Sequence, residues 1–518
     1  MKIKMILAAM AAMVCAVTAA TANDNAAAAD RASDGLIGDM TVQTASITLG
    51  GNWQLQQDDK TTGGGELLST PNANVEGWYE ANVPSTVMGA LTRDNGLYAD
   101  LLEGTNYKNA DRTPFDDSWW YRTAFEVPQR EGRRVTLDFD GLSYRANIWL
   151  NGKLVASKDE VFGVFRRWSF DVTELVKDSG NVLAVEIFRA QKGEPNIGFV
   201  DWNPRPLDES MGIFREVRVN VTGDVTMRNS RVKSLLNTQT LKEAYLDVET
   251  ELENLSSQPI EGVLKGRMEQ IEFAIPVTLA AGEKRTVLVS PDVVPELHIR
   301  NPRVWWSVGL GTPELYELDL EFVVGETNSA SQKVTFGIRS IDTYLTDEGH
   351  KGFILNGKKV LIKGAGWTDE IFLRDTPESN ERQVRYVKDM NLNTIRFENI
   401  WGNSQNIYDL CDRYGILALV GWSCQWEWEG YIGTPEDDFM NLRSEEDMQL
   451  MVRYFDDQVK WLRNHPSIIA WYGGSDKLLR PELERRYMAL LPTIDDRPFV
   501  NSAKRMMSSV TGLSGMKM

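Results

Sequence analysis

The hydrophobic period of the chain changes once, near Ile338, and that change limits the folds open to it. Before it, apolar residues alternate with polar ones: Val135, Leu137 and Phe139; Leu183, Val185 and Ile187; Val217, Val219 and Val221. A period of two turns one face of a strand to a core and the other to water, as in antiparallel sheets. Turn signals such as Asn151-Gly152 and Asp178-Ser179-Gly180 separate the runs, so residues 45–222 read as a jelly-roll β-sandwich. Residues 223–337 continue the alternation through Leu246, Val248, Thr250 and Leu252, then Tyr316, Leu318, Leu320 and Phe322. Their length and spacing fit an Ig-like β-sandwich without the cysteine pair of a true immunoglobulin domain.

Beyond Ile338, after a short β segment, apolar runs alternate with helical stretches. Strands are expected at Val360 to Gly364, Thr394 to Phe397, Ile416 to Trp422, Ser467 to Gly473 and Phe499 to Ala503. Ile407, Leu410, Cys411 and Tyr414 share one helical face that stops at Gly415. Ser444 to Asp447 resembles a capping box, and Pro481 opens a further helix. Repeated β-α units predict a parallel sheet with right-handed crossovers, whose C-terminal strand ends carry the chemistry. Five strands fall short of the eight that close a barrel. Residues 338–518 therefore read as an incomplete (β/α)8 TIM barrel, and the chain is expected to stop before strands six to eight.

Charge and composition exclude several functions. A formal charge of −18 disfavours nucleic acid and anionic membrane surfaces as partners. Lys2 and Lys4, the apolar run Met5 to Val17 and Ala20-Thr21-Ala22 form a cleavable secretory signal over residues 1–22. Cleavage near Ala22 would send the mature chain to the periplasm or outside the cell, and no later run is long enough for a membrane span. Residues 23–44, rich in Ala, Asp and Asn and without periodicity, read as a flexible leader. His298, His350 and His465 are the only histidines, and with Cys411 and Cys424 they offer no zinc spacing. Those two cysteines read as packing residues. No phosphate-binding, dinucleotide or nucleophile-elbow motif occurs, so no metal or cofactor is expected and carboxylates remain as the plentiful reactive groups. Nothing in the sequence specifies an oligomeric state.

The stretch Ser467-Ile-Ile-Ala-Trp-Tyr-Gly-Gly-Ser-Asp-Lys477 stands out among the barrel runs. Its buried strand breaks at two glycines, which let the backbone turn sharply and bring Ser475 and Asp476 to a strand end. From these residues alone, Asp476 is equally a helix cap and a catalytic acid.

Motifs along the whole chain extend that reading. Trp119-Trp-Tyr-Arg122, Asn147-Ile-Trp-Leu-Asn-Gly152 and Met211-Gly-Ile-Phe-Arg-Glu216 lie in the first sandwich. Trp305-Trp306, Gly311-Thr-Pro-Glu-Leu-Tyr316 and Phe336-Gly-Ile-Arg339 close the second, and Asn356-Gly-Lys358, Lys363-Gly-Ala-Gly366 and Asn393-Thr-Ile-Arg396 follow. In this order, over residues 47–518, they resemble glycoside hydrolase family 2. Asp201-Trp-Asn-Pro204 and Gly474-Ser-Asp476 are similar to its exo-β-D-glucosaminidase branch.

The resemblance implies a galactose-binding-like first sandwich and a retaining β-glycosidase that takes terminal β-linked glucosamine from chitosan-like oligosaccharides. Asp476 is then the general acid/base. The family's nucleophile, a Glu at the end of strand seven, has no counterpart in this sequence. Most members carry Asn-Glu where Ser475-Asp476 stands. The shorter acid and the loss of an amide beside C2 leave room for an ammonium there. Glu398 is implied to hold that ammonium, and Ser475 to lie beside C2. Arg396 looks like the family's arginine that orients the nucleophile, and without that partner it is expected to be an unpaired cation. Trp367, Trp422 and Trp471 are expected as sugar platforms from a group that also holds Trp401, Trp426 and Trp428, because pyranose C–H faces stack on indole. Asp369, Glu370, Glu427 and Glu429 read as ordinary loop acids. A β-mannosidase or β-galactosidase of the same family is one alternative; a non-catalytic carbohydrate-binding or inactive chain is another.

Overall fold

The computed structural model describes residues 44–128, 132–196, 203–398, 402–421, 424–427, 435 and 437–516. In the first sandwich, a four-stranded sheet runs in the order Ala45–Thr48, Val217–Thr222, Arg134–Phe139 and Trp168–Asp171. It faces a six-stranded sheet centred on Trp119–Phe125 and Asn181–Phe188. The pairings are antiparallel, with Val217 opposite Phe139 and Val185 opposite Tyr121. The alternating residues that suggested this sandwich, Val135, Leu137, Leu183, Val185, Val217 and Val219, share one buried core. Burying each such side chain contributes roughly 1.5–3 kcal/mol, so the alternation itself selects the face.

The second sandwich sets Val225–Leu236, Glu243–Asn254 and Lys284–Val289 against Ile271–Leu279, Ile260–Met268, Tyr316–Val324 and Thr327–Phe336. Leu246, Val248 and Leu252 from one sheet meet Leu318, Leu320 and Phe322 from the other. A three-stranded antiparallel sheet, Ile341–Leu345, Lys351–Leu355 and Lys358–Val360, then leads into the barrel.

Five parallel strands stand in sequence order: β1 (Gly364–Trp367), β2 (Thr394–Phe397), β3 (Leu417–Val420), β4 (Ile468–Tyr472) and β5 (Phe499–Val500). Between them lie α1 (Pro377–Asp389), α2 (Asn406–Tyr414), α3 (Glu445–Leu462) and α4 (Pro481–Ile494). The local signals have their expected effects. Gly415 ends α2 in the left-handed region at φ 69°, the Ser444 side chain caps α3 by accepting from the Asp447 amide, and Pro481 opens α4.

The first barrel strand lies four residues later than expected. Val360 ends the antiparallel entry sheet, and β1 is Gly364-Ala-Gly-Trp367, mostly exposed and without an apolar run. A Cβ on Gly364 would lie 2.1 Å from the Thr394 carbonyl oxygen, so the close approach of β1 to β2 requires glycine. The fifth strand is also shorter than expected, ending at Val500.

The side chains of the barrel strands divide between two packed layers. Leu417, Leu419, Ile469, Tyr472 and Val500 pack with Phe353, Leu355 and Trp305, whereas Ala418, Val420, Ile468 and Trp471 join Leu410, Met451, Phe455 and Leu483 from the helices. The described residues belong to one compact unit, Gln43–Met518. Specific contacts tie its parts together. Arg215, 0% exposed and on the first sandwich, donates from Nε to the Gly402 carbonyl at 3.1 Å and from Nη1 to Gln458 on α3 at 2.7 Å. Its guanidinium lies 4.0 Å from the Trp461 ring centroid. Loss of solvation brings its pKa down to about 10, which still leaves it a cation at neutral pH. Trp305 donates to the Asp412 carbonyl at 2.9 Å, and Arg339 to the carbonyls of Pro466 and Ile468, both at 2.9 Å. No helix among the described residues is long and apolar enough to cross a membrane.

Arg215→Ala would strand the Gln458 acceptor and empty a space between sandwich and barrel. The expected cost is about 2–4 kcal/mol of stability, read as a lower denaturation midpoint in tryptophan fluorescence; an unchanged midpoint would contradict this bridging role.

Candidate active site

The loops after β1 to β4 gather acidic residues at one end of the sheet, where an α/β barrel places its chemistry. Gly473 and Gly474 follow β4, and both need the absence of a side chain. A Cβ on Gly473 would sit 2.7 Å from the Asn501 carbonyl oxygen, and one on Gly474 would sit 2.5 Å from Glu427 Oε1. Ser475 and Asp476 then lie half-buried at the strand end.

This turn is held from two sides. Glu427, 0% exposed on the short 3-10 helix Cys424–Glu427 after β3, accepts backbone N–H donations from three successive residues. Ser475 donates to Oε1 at 2.6 Å, Asp476 to Oε2 at 3.0 Å, and Lys477 to Oε1 at 3.3 Å. On the opposite side, the Ser475 carbonyl accepts from Ser502 Oγ at 2.8 Å and the Lys504 amide at 2.9 Å, while the Gly474 carbonyl accepts from the Ala503 amide at 3.1 Å. Burial pushes the Glu427 carboxyl up to about 7. The three amides oppose that rise, and the Asp476 charge adds to it.

Glu427 is therefore not the loop acid expected from sequence. Its task needs no local signature, because its partners lie about fifty residues further along the chain. A hint was the buried aromatic before it: Trp426, 0% exposed, donates its indole N–H to the Asn196 carbonyl at 3.1 Å. Trp426 is thus a packing residue that joins the barrel to the first sandwich.

Arg396 and Glu398 form an ion pair at the end of β2, with side chains 16% and 14% exposed. The expected unpaired cation is corrected by this contact. Residues two apart on a strand point to the same side, so the pair is local. Glu398 also lies close over β1, where a Cβ on Gly366 would come within 2.7 Å of its Oε1. Trp367 is half-buried at the end of β1, its ring edge-on to Phe397 with centroids 6.3 Å apart. Glu370 pairs with Arg374 in its own loop. Half-buried Asp369 is held well above the usual carboxylate range by loss of solvation and by Asp375, with Arg215 partly offsetting them.

Trp471 is not a sugar platform. It is 2% exposed, packs against the helical layer and donates its indole N–H to Asp495 at 2.7 Å. Trp422, Trp401, Trp428 and Glu429 lie outside the described residues, as do Asp201 and Trp202 of the Asp201-Trp-Asn-Pro204 motif. Cys411 is buried in the helical core, in keeping with a packing role.

Asp409, Asp412 and His465 form a compact group of metal-ligand type, at the N-terminal end of β4 and away from Asp476. His465 and Asp412 are already engaged with each other and with their neighbours. His465 Nδ1 meets Asp412 Oδ2 at 2.7 Å, Nε2 meets Gln405 Oε1 at 3.0 Å, and Asp412 Oδ1 accepts from the Ser467 amide at 3.0 Å. The group fastens α2 to the start of β4.

Comparison with known proteins gives the same order of domains. Models for the glycosyl hydrolase 2 galactose-binding domain-like region, glycosyl hydrolases family 2 and the family 2 TIM barrel domain match residues 53–197, 225–339 and 347–499 in turn. The chain belongs to glycoside hydrolase family 2. It is 36% identical over 488 residues to an exo-beta-D-glucosaminidase of Streptomyces avermitilis, covering 92% of this chain and 53% of that protein. An exo-beta-D-glucosaminidase of Amycolatopsis orientalis is 33% identical over 521 residues, covering 99% and 48%. The crystal structure of the A. orientalis exo-chitosanase CsxA superposes with a TM-score of 0.83 at 31% identity, over 92% of this chain and 55% of that one. The chain thus spans about half the length of the family 2 relatives it matches.

Two measurements check the site. Glu427 binds its proton more tightly folded, at about 7, than at its ordinary 4.5. Between those values the folded chain holds more protons, so Glu427 makes stability fall as pH rises through that window, by about 3 kcal/mol at most. In Glu427→Gln, denaturant midpoints measured from pH 4.5 to 7 are expected to lose that part of the slope; an identical slope would refute the assignment. For Trp471→Phe the expected result is a loss of about 1–2 kcal/mol of stability, read as a lower denaturant midpoint, because the buried indole loses its bond to Asp495. An unchanged midpoint would contradict this packing role of Trp471.

Proposed function

We propose that the chain carries the acid/base side of a retaining β-glycosidase site, and that its sugar is a terminal, non-reducing β-linked glucosamine of a chitosan-like oligosaccharide. The carrying observation is Asp476, preceded by Ser475, on a turn held at the C-terminal end of β4 by the Glu427 carboxyl group. A retaining glycosidase needs one carboxylic acid to protonate the leaving oxygen and a second carboxylate, roughly 5–5.5 Å away, to attack the anomeric carbon. Asp476 takes the first role. After the glycosyl-enzyme forms, the same carboxylate accepts a proton from water as the water attacks.

The second role is assigned to no residue here. Glu427 is enclosed and bonded to three amides, and Glu398 is committed to Arg396. Glu398 instead suits the substrate ammonium, because a carboxylate paired through one oxygen keeps acceptor capacity on the other. Ser475, smaller than the Asn of most family members, supports the choice of an amino sugar, as do the glucosaminidases named above. The lily mannosylglycoprotein endo-beta-mannosidase is less similar, at 29% identity over 462 residues. The sequence signal over residues 1–22 supports a periplasmic or secreted location.

The test sets p-nitrophenyl β-glucosaminide against the β-mannoside and β-galactoside, alongside calorimetric binding of glucosamine, N-acetylglucosamine and mannose. Glucosamine is expected to bind at least about 10-fold tighter than either other sugar, through its charged amine. Preference for a neutral sugar in either assay would sink the glucosamine reading. Asp476→Asn should leave glucosamine binding intact and lower any turnover by about 10²–10⁴-fold.

A further inference from the structure

The buried acid beneath the turn points to a control on Asp476 that lies outside the reacting groups. We propose that Glu427 is the positioning residue of the acid/base: by gathering the amides of Ser475, Asp476 and Lys477 it fixes the direction of the Asp476 side chain, and the first sandwich holds Glu427 in place through Trp426. This proposal rests on the reading of Asp476 as the acid/base.

The geometry gives each link. A side chain's direction is set by its backbone, and the Asp476 peptide is bounded by amides donated to Glu427 and by the Ser475 carbonyl, which accepts from Ser502 and Lys504. Glycine at 474 lets the carboxyl oxygen approach to a distance that a methyl group would block. Glu427 cannot swing away, because it follows the enclosed Trp426, which is bonded on one side to the Asn196 carbonyl and on the other accepts the Asn441 amide at its own carbonyl, 3.0 Å away. A second contact secures the same sandwich segment: Tyr454 on α3 donates to the Pro195 carbonyl at 3.0 Å. Residues 195 and 196 are thus held by the barrel at two points, and they hold Trp426 in return. A misplacement of about 1 Å at a reacting group costs about 10²-fold in rate, so a device of this kind has a large effect to protect.

A carboxyl group is well suited to the task. Its two oxygens lie at a fixed angle and accept from several donors. An amide in its place would turn one acceptor into a donor facing another donor.

The experiment follows hydrogen exchange of the full chain by mass spectrometry with residue-level fragmentation, in the wild type, Glu427→Ala and Glu427→Gln. In Glu427→Ala, the amides of residues 475–477 are expected to exchange at least about 10-fold faster, with β4 changed by less than about 2-fold. Glu427→Gln should give an intermediate rise, since it keeps one carbonyl acceptor. Unchanged exchange at 475–477, or an equal rise along β4, overturns the proposal. The same variants are assayed for β-glucosaminide hydrolysis. A fall in kcat of at least about 10-fold, with KM within about 3-fold, is the expected signature of a misdirected acid. Turn protection lost with kcat unchanged also overturns the proposal. If no form, wild type included, hydrolyses the substrate, as fits a chain in which no second carboxylate is assigned, exchange at the three amides alone decides the positioning role of Glu427.

Discussion

A carboxyl group removed from water must recover its lost solvation from the protein, and at Glu427 three backbone amides supply part of it. The same bonds that make the buried acid tolerable give the following turn its shape, so the cost of burying one residue becomes the order of another. The turn is fastened on its other face by residues 502–504, after β5. The third, fourth and fifth strand ends therefore meet around a single peptide segment, and the reactive end of the sheet is rigid where it carries Asp476.

The sandwiches are more than attachments to this sheet. Arg215 inserts a cation between Gln458 and the Trp461 ring, Trp305 reaches the Asp412 carbonyl at the end of α2, and Arg339 closes over the carbonyls that lead into β4. Each of these side chains belongs to a sequence motif noted at the outset: Met211 to Glu216, Trp305-Trp306 and Phe336 to Arg339. Motifs that looked like markers of separate domains prove to be the residues that join them.

How much could be read in the sequence depended on whether a signal was local. Alternation defined both sandwiches because a half-exposed strand shows its buried face directly in every second residue. Helix ends were equally visible through Gly415, Ser444 and Pro481, whose effects act within a turn or two. Strand β1 was misplaced because Gly364 and Gly366 serve close backbone approach, and hydrophobicity does not register that. Trp471 was misjudged for another reason: β4 is buried on both faces, so its residues give no sign of which face each one occupies. The Arg396 and Glu398 contact was available from their spacing, two apart on a strand with opposite charge. The importance of Glu427 was not, because its meaning comes from a turn reached only after α3 and β4 have been laid down.

One consequence follows from the grip of Tyr454 and Trp426 on the carbonyls of Pro195 and Asn196. Three family models divide the chain into three lengths, but those divisions need not be divisions in unfolding. A first sandwich that opened by itself would release two buried donors and unseat Arg215, so its loss is coupled energetically to the loosening of the barrel mouth. The boundaries drawn along the sequence record how the parts were assembled; the cooperative unit is drawn by hydrogen bonds that cross them.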